Sequence, residues 1–289
     1  GDELEVDFEG TDAQVATNIN CPFASCLASA LSCVKSVISA PDIPFNEGVK
    51  RPVTVKAPFG SILNPRPPAP VRARLLPAYR AYNAVMDALA KAVPAQVIAP
   101  GYDTTTSFCL AHLGEKGYSV YLEIFGGGYG AGAGNDGVDA VDSPLSNCSN
   151  TPVESLDADY DFFRVTGYEM IADSFGDGEH RGGAGFRRRY EILQDDVKLQ
   201  TYADRHRRPP EGVFGGTAAA NGRTLLWRGD DVSTVPPKAN LTFQKGDVIE
   251  IQPGGGGGYG LPAKRQPEAR DEDIANGLVS SPSQQVAAE

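Results

Sequence analysis

Two glycine runs govern what this chain can fold into: Gly126-Gly127-Gly128-Tyr129-Gly130-Ala131-Gly132-Ala133-Gly134 and Gly254-Gly255-Gly256-Gly257-Gly258. Residues without a Cβ weaken helices and strands and let backbones approach closely, so such runs end regular elements. With the rest of the 33 Gly and 22 Pro they fall between the apolar runs, which calls for many loops joining short strands. The expected class is α+β: a strand-rich mixed fold with two longer helices in the first third and a mainly antiparallel β carboxy-terminal part. At 289 residues and 41% hydrophobic, the chain can bury the core of one large domain or two small ones.

Leu4-Glu5-Val6-Asp7-Phe8 alternates as a half-buried strand does, yet it follows Gly1 rather than an initiator Met, so the chain is expected to start inside a longer polypeptide. After Asn18 and Asn20, which can cap a helix, Phe23, Cys26, Leu27, Ala30, Val34 and Val37 recur at helical spacing and predict a helix over 22–38. Tyr82, Val85, Met86, Leu89 and Val93 predict a second, stopped at Pro94 by its missing backbone donor. Residues 52–55 read as strand and Asn64-Pro65-Arg66-Pro67-Pro68 as rigid loop. Strands over 107–113 and 118–125 flank Gly114-Glu115-Lys116-Gly117, a hairpin turn. Beyond Asn150, strands over 162–172, 186–193, 197–202, 224–227 and 248–251 suggest a sandwich or partial barrel. The chain divides into an α+β region at 1–100, a hairpin and glycine-loop region at 101–155, a β-rich region at 156–262 and a loosely held tail at 263–289, with a short helix around 271–276.

Composition removes several function classes. A net charge of -11 repels phosphate backbones, and the basic spots Arg187-Arg188-Arg189 and Arg205-His206-Arg207-Arg208 are short, so nucleic acid is not an expected partner. No apolar stretch approaches the roughly 18 residues of a bilayer span and no basic-then-apolar leader opens the chain, so no membrane partner and a cytoplasmic location are expected. Five Cys is an odd number, and Cys26 and Cys33 lie two helical turns apart, too far to bridge, which reads as reduced, buried thiols. CxxC, HxH and HExxH are all absent and only His112, His180 and His206 occur, so no metal site held by this chain alone is expected.

The first glycine run contains GxGxxA directly after a strand, but a dinucleotide loop must open a helix, and Asn135-Asp136-Gly137 supplies another turn instead. No GxxxxGK[ST] occurs. Two readings of the run stay open: a structural loop of close backbone approach, or an anion- or substrate-binding nest in which Gly127, Gly128, Asp136 and Asn150 touch the ligand. Around it sit Glu123, Asp136, Asp139, Asp142, Asn147 and Asn150, where carboxylates can act as bases and amides offer paired donors and acceptors; solvated turn residues are the alternative. Nucleophilic catalysis has little support: there is no GxSxG, and Cys109 and His112, three apart on a strand, point to opposite faces. Alternation puts Arg187 and Arg189 on one sheet face and Arg188 on the other, either as salt-bridged surface residues or as a substrate carboxylate site.

A set of motifs in fixed order adds to this reading. They are Val6-Asp7-Phe8-Glu9-Gly10-Thr11, Pro41-Asp42-Ile43-Pro44-Phe45-Asn46-Glu47-Gly48, Gly60-Ser61-Ile62-Leu63-Asn64-Pro65, Gly126-Gly127-Gly128-Tyr129-Gly130-Ala131, Asp136-Gly137-Val138-Asp139, Ser146-Asn147-Cys148-Ser149-Asn150-Thr151-Pro152-Val153-Glu154, His180-Arg181-Gly182-Gly183-Ala184-Gly185, Gly212-Val213-Phe214-Gly215-Gly216 and Pro253 to Gly260. Over nearly its whole length the chain resembles the carboxy-terminal half of the B-type subunit of the hydantoinase/5-oxoprolinase family. The resemblance implies an ATP-dependent cyclic amide hydrolase acting on a hydantoin, lactam or 5-oxoproline-like ring. An A-type partner subunit, carrying ATP and Mg, phosphorylates the substrate, after which the B-type chain completes the reaction. It also implies a rival, a subunit of an acetone- or acetophenone-type carboxylase, and a non-catalytic scaffold is the alternative from another class. The family's metal-ligand motifs, an Asn-Asp-Pro-Tyr stretch and a Thr-His-Leu-Pro-Asp-like stretch, do not occur here, so the resemblance assigns the divalent metal to an upstream half of the B-type subunit, a further partner. In that frame Glu123, Asp142 and Asn147 are the candidate catalytic residues of a composite pocket.

Overall fold

The computed structural model describes residues 2–115, 117–142 and 144–280, which form two compact units, Gly1–Val97 and Ile98–Glu289. The segments expected at 101–155, 156–262 and 263–289 all fall inside the second.

In the first unit, β1 (Leu4–Asp7) pairs in parallel with β2 (Val53–Lys56), and α1 (Phe23–Ile38), α2 (Glu47–Lys50) and α3 (Leu75–Leu89) complete it. The helical stripe of α1 buries Cys26, Ala30, Leu31, Cys33, Val34 and Val37, and α1 packs on α3, which buries Leu76, Tyr79, Tyr82, Val85, Met86 and Leu89. Two expectations need correction. Helix α3 begins well before Tyr82, because Pro77 falls in the first turn, where a missing N–H costs nothing, and it ends at Leu89, short of Pro94. Asn20 does not cap α1, whose N-cap is Pro22; its buried amide accepts from Val15 N and donates to the Val15, Thr17 and Pro70 carbonyls, tying a loop together.

In the second unit, β3 (Thr106–Gly114) and β4 (Gly117–Phe125) form the expected hairpin, although Lys116 of its turn lies outside the described residues. There follow α4 (Val153–Asp159), β5 (Phe163–Met170), β6 (Phe186–Ile192), β7 (Val197–Tyr202), β8 (Arg223–Arg228), β9 (Asp231–Thr234), β10 (Lys238–Phe243), β11 (Val248–Gln252) and α5 (Pro267–Ala275). They make two antiparallel sheets, ordered β10-β7-β3-β4 and β5-β6-β11-β8-β9. Phe108, Leu110, Tyr121, Phe125, Leu199 and Phe243 of one meet Phe163, Phe186, Tyr190, Ile192, Leu226 and Ile249 of the other in one apolar core, so the β part is a sandwich. The tail is held in place over 263–280: α5 buries Asp273, and Leu278 is buried with Phe175 and Ala184. Residues 281–289 lie outside the described part.

Beside the sandwich the glycine runs lie against one another as extended backbone. Gly128 N donates to Gly254 O, Gly183 N to Tyr129 O, Gly256 N to Gly183 O and Gly176 N to Gly256 O. A Cβ on Gly128 would overlap the Gly183 carbonyl, and one on Gly256 the Tyr129 carbonyl, so close packing of main chain on main chain requires glycine there.

Candidate functional site

Three polar groups surround the glycine layer, and the first lies between the two sheets. Alternation along β4 turns Glu123 inward with Tyr121 and Phe125, and alternation along β6 turns Arg188 inward with Phe186, Tyr190 and Ile192. Arg188 is therefore fully buried, which corrects its expected place on the sheet surface; Arg187 and Arg189, on the opposite face, pair with Glu169 and Glu250 as surface alternation requires. Glu123 Oε1 accepts from Arg188 Nη1 at 2.8 Å, Asn150 Nδ2 at 3.0 Å and Thr151 N at 2.6 Å, and Oε2 accepts from the Tyr190 hydroxyl at 3.3 Å. Burial, opposed by Arg188 and reinforced by Glu123, pushes the Tyr190 hydroxyl well above the ordinary phenol range, so it remains a donor. Arg188 Nη2 donates to Thr151 O, and the guanidinium lies 4.8 Å from the Tyr168 ring centre. The Tyr168 hydroxyl donates to Asn150 Oδ1 at 2.9 Å, so Asn150 is held at both ends of its amide.

The second group is the turn that leads into Asn150. Asp142 Oδ2 accepts from Ser146 Oγ and from Cys148 N, while Asp142 Oδ1 is buried with no hydrogen bond among the described residues. Between those donors Asn147 stands exposed in the left-handed region at φ 52°, a conformation that short amide side chains tolerate. Asp142, Asn147 and Asn150 thus share one short segment, and Glu123 joins it through Asn150.

Asp136 belongs to a third group. Its two oxygens accept from Arg265 Nη1 and Nη2, each at 2.8 Å, and Arg181 N donates to Oδ1. Arg181 also pairs with Asp139 and Asp273, and Arg265 with Asp273, so two arginines and three aspartates clamp α5 against the glycine layer. Burial works against the Asp136 carboxylate, but hydrogen bonding and charge from Arg265 and Arg181 outweigh it and hold its pKa below the usual value. Arg181 falls in one of the motifs of the resemblance, whereas Arg265 and Asp273 carry no mark in the sequence beyond their type. For Arg188 a signal did exist, since it occupies the apolar register of β6.

Gly127 and Gly128 are committed to the layer: their amides donate to Val141 O and Gly254 O, so neither amide is free to hold an anion. Among the described residues no three His, Cys, Asp or Glu side chains converge, and Asp136, Asp139 and Asp273 are each neutralised by arginine. What the arrangement offers is the exposed amide of Asn147, beside a carboxylate with one buried, unengaged oxygen, and a free amide of this kind can orient a polar ring or a water molecule.

A putative B-type subunit of a D-/L-hydantoinase from Pseudomonas sp. is 32% identical over 97% of this chain and 48% of its own length. The ATP-dependent caprolactamase from Pseudomonas jessenii superposes with a TM-score of 0.84 at 28% identity, covering 97% of this chain and 50% of that one. Nucleotide-free acetone carboxylase shares the fold, with a TM-score of 0.76 at 19% identity over 95% of this chain and 42% of its own. The chain thus spans about half the length of the hydantoinase polypeptide and of the caprolactamase chain. Among the described residues no helix is long and apolar enough to cross a membrane. The Hydantoinase B/oxoprolinase profile matches residues 1–262, and the chain belongs to that family.

Proposed function

We propose that this chain is part of the B-type component of a cytoplasmic, ATP-dependent cyclic amide hydrolase acting on a lactam, hydantoin or 5-oxoproline-like ring. The observation that carries the reading is the likeness to a caprolactamase across 97% of the chain at 28% identity. An unactivated ring amide is a poor electrophile, and transfer of a phosphoryl group to its oxygen supplies a leaving group and the driving force for opening by water. ATP and Mg belong to an A-type partner, and any divalent metal to the remaining half of the B-type polypeptide.

In this reading Asp142 and Asn147 face the composite pocket and orient the ring or the attacking water. Glu123 acts on that pocket through Asn150 rather than by touching substrate, because Arg188, Thr151, Asn150 and Tyr190 occupy its oxygens. The test is to assemble the chain with an A-type subunit and the rest of a B-type polypeptide, then compare wild type with Asn147→Ala and Asp142→Asn. Loss of amide turnover of about 100-fold with assembly mass unchanged supports the reading. Full turnover in both variants would sink these roles and leave a scaffold.

A further inference from the structure

Strands β1 and β2 make a two-stranded parallel sheet, and among the described residues no third strand joins it. Parallel pairs are slightly weaker per residue than antiparallel ones, and all-parallel sheets occur almost only with both faces covered. Here Leu4, Val6, Val53 and Val55 are only half-buried. Leu4 N donates to Pro52 O and Phe8 N to Lys56 O, so the alternation of the ladder turns the amides of Glu5 and Asp7 toward the open edge. Against the amino-terminal end of this strand pair lies an apolar groove of about 550 Å³ lined by Leu4, Val53, Val34, Ile38, Ile43 and Val49. Ile38 is 52% exposed and Ile43 46%, so the groove's apolar wall is open to a partner.

We infer that this edge and groove receive a strand from the other half of a B-type polypeptide. The strand lies along β1 and seats an apolar side chain between Ile38 and Ile43. The caprolactamase and hydantoinase chains each carry about as much polypeptide again outside the region this chain matches, which supplies the occupant. An open edge selects an extended segment, because only a strand satisfies a row of unpaired amides and carbonyls while its alternate side chains reach the groove. A second copy of this chain is a poorer occupant, since each copy carries a net charge of -11.

The inference rests on the reading that the chain works with the rest of a B-type polypeptide, and the experiment separates the two. The probe is the portion of the Pseudomonas sp. B-type hydantoinase polypeptide outside the match, produced separately and mixed with this chain. Native mass spectrometry reports complex formation, and amide hydrogen exchange reports its place. The expected result is a one-to-one complex in which exchange at Glu5 and Asp7 slows at least about tenfold, and in which Ile38→Asp with Ile43→Asp weakens binding about tenfold or more. Both isoleucines are half exposed, so circular dichroism of the free variant should match wild type. A complex with unchanged exchange along β1, or equal affinity for the variant, overturns this inference alone; no complex at all overturns it together with the reading beneath it.

Discussion

Replacing Arg188 by Met removes the cation beside Glu123 and leaves a carboxylate sealed between two sheets. The side chains are 0% and 4% exposed and meet at 2.8 Å, so solvent does little to screen the pair. Removing one partner of such a pair costs about 3–5 kcal/mol, because the other charge stays buried without compensation. In a unit of this size each kcal/mol moves the melting temperature by about 2–4 °C, so R188M should melt about 6–20 °C below wild type. Combining it with Glu123→Leu removes the stranded charge, and the double variant should recover part of that loss, since apolar replacement of a buried pair is often neutral. Recovery stays partial because Thr151 N loses its acceptor and Asn150 Nδ2 keeps only the Ile124 carbonyl. Thermal denaturation followed by circular dichroism reads both. A single variant melting within about 2 °C of wild type, or a double variant no more stable than the single, would refute the claim that the pair organises the sandwich.

Other consequences are as specific. Gly128→Ala drives a Cβ into the Gly183 carbonyl and should destabilise by about 4 kcal/mol or more, whereas Gly134→Ala meets open space and should stay within about 0.5 kcal/mol, as read by urea denaturation. Burial pushes the Cys21, Cys26 and Cys33 thiols up to about 12, so at pH 8 a thiol reagent should label the exposed Cys148 first and reach those three only on unfolding. Early labelling of Cys26 would show that α1 does not pack as described. The Asp136 pKa is depressed in the folded state, so its stabilisation is present above the unfolded value near 4 and is lost as pH falls through the lower folded value. Asp136→Asn should therefore flatten the acid limb of a stability-against-pH curve below about pH 4 and leave an unchanged limb only if the Arg265 pair is absent in solution.

Legibility in the sequence followed burial. Helix α1 was plain because its buried side carries a full helical stripe, and β3, β4, β6 and β7 because one face of each is sealed against the other sheet. Strands β9 and β10 carry little signal because neither has a sealed face: every residue of β9 is exposed, and β10 has only Phe243 fully buried, so neither has to alternate strongly. The glycine runs announced close backbone approach, but not their partners, since hydrogen bonds between Gly128, Gly183, Gly254 and Gly256 join segments far apart in the chain. Charged residues were the hardest to place. Glu123 and Arg188 look like surface groups by type, and only the three-dimensional register of two different sheets brings them together. The turn carrying Asp142, Asn147 and Asn150 was visible as a local concentration of polar groups, whereas the Arg181 and Arg265 clamp depends on a helix more than a hundred residues away from Asp136.

ATP turnover separates the hydrolase from the carboxylase when it is measured in the complete assembly, containing this chain, an A-type subunit and the rest of a B-type polypeptide, with caprolactam, hydantoin, 5-oxoproline and acetophenone each supplied with and without bicarbonate. A cyclic amide hydrolase should couple ATP hydrolysis to ring opening and be indifferent to bicarbonate. Turnover seen only with the ketone and only when bicarbonate is present would contradict it and assign the chain to a carboxylase.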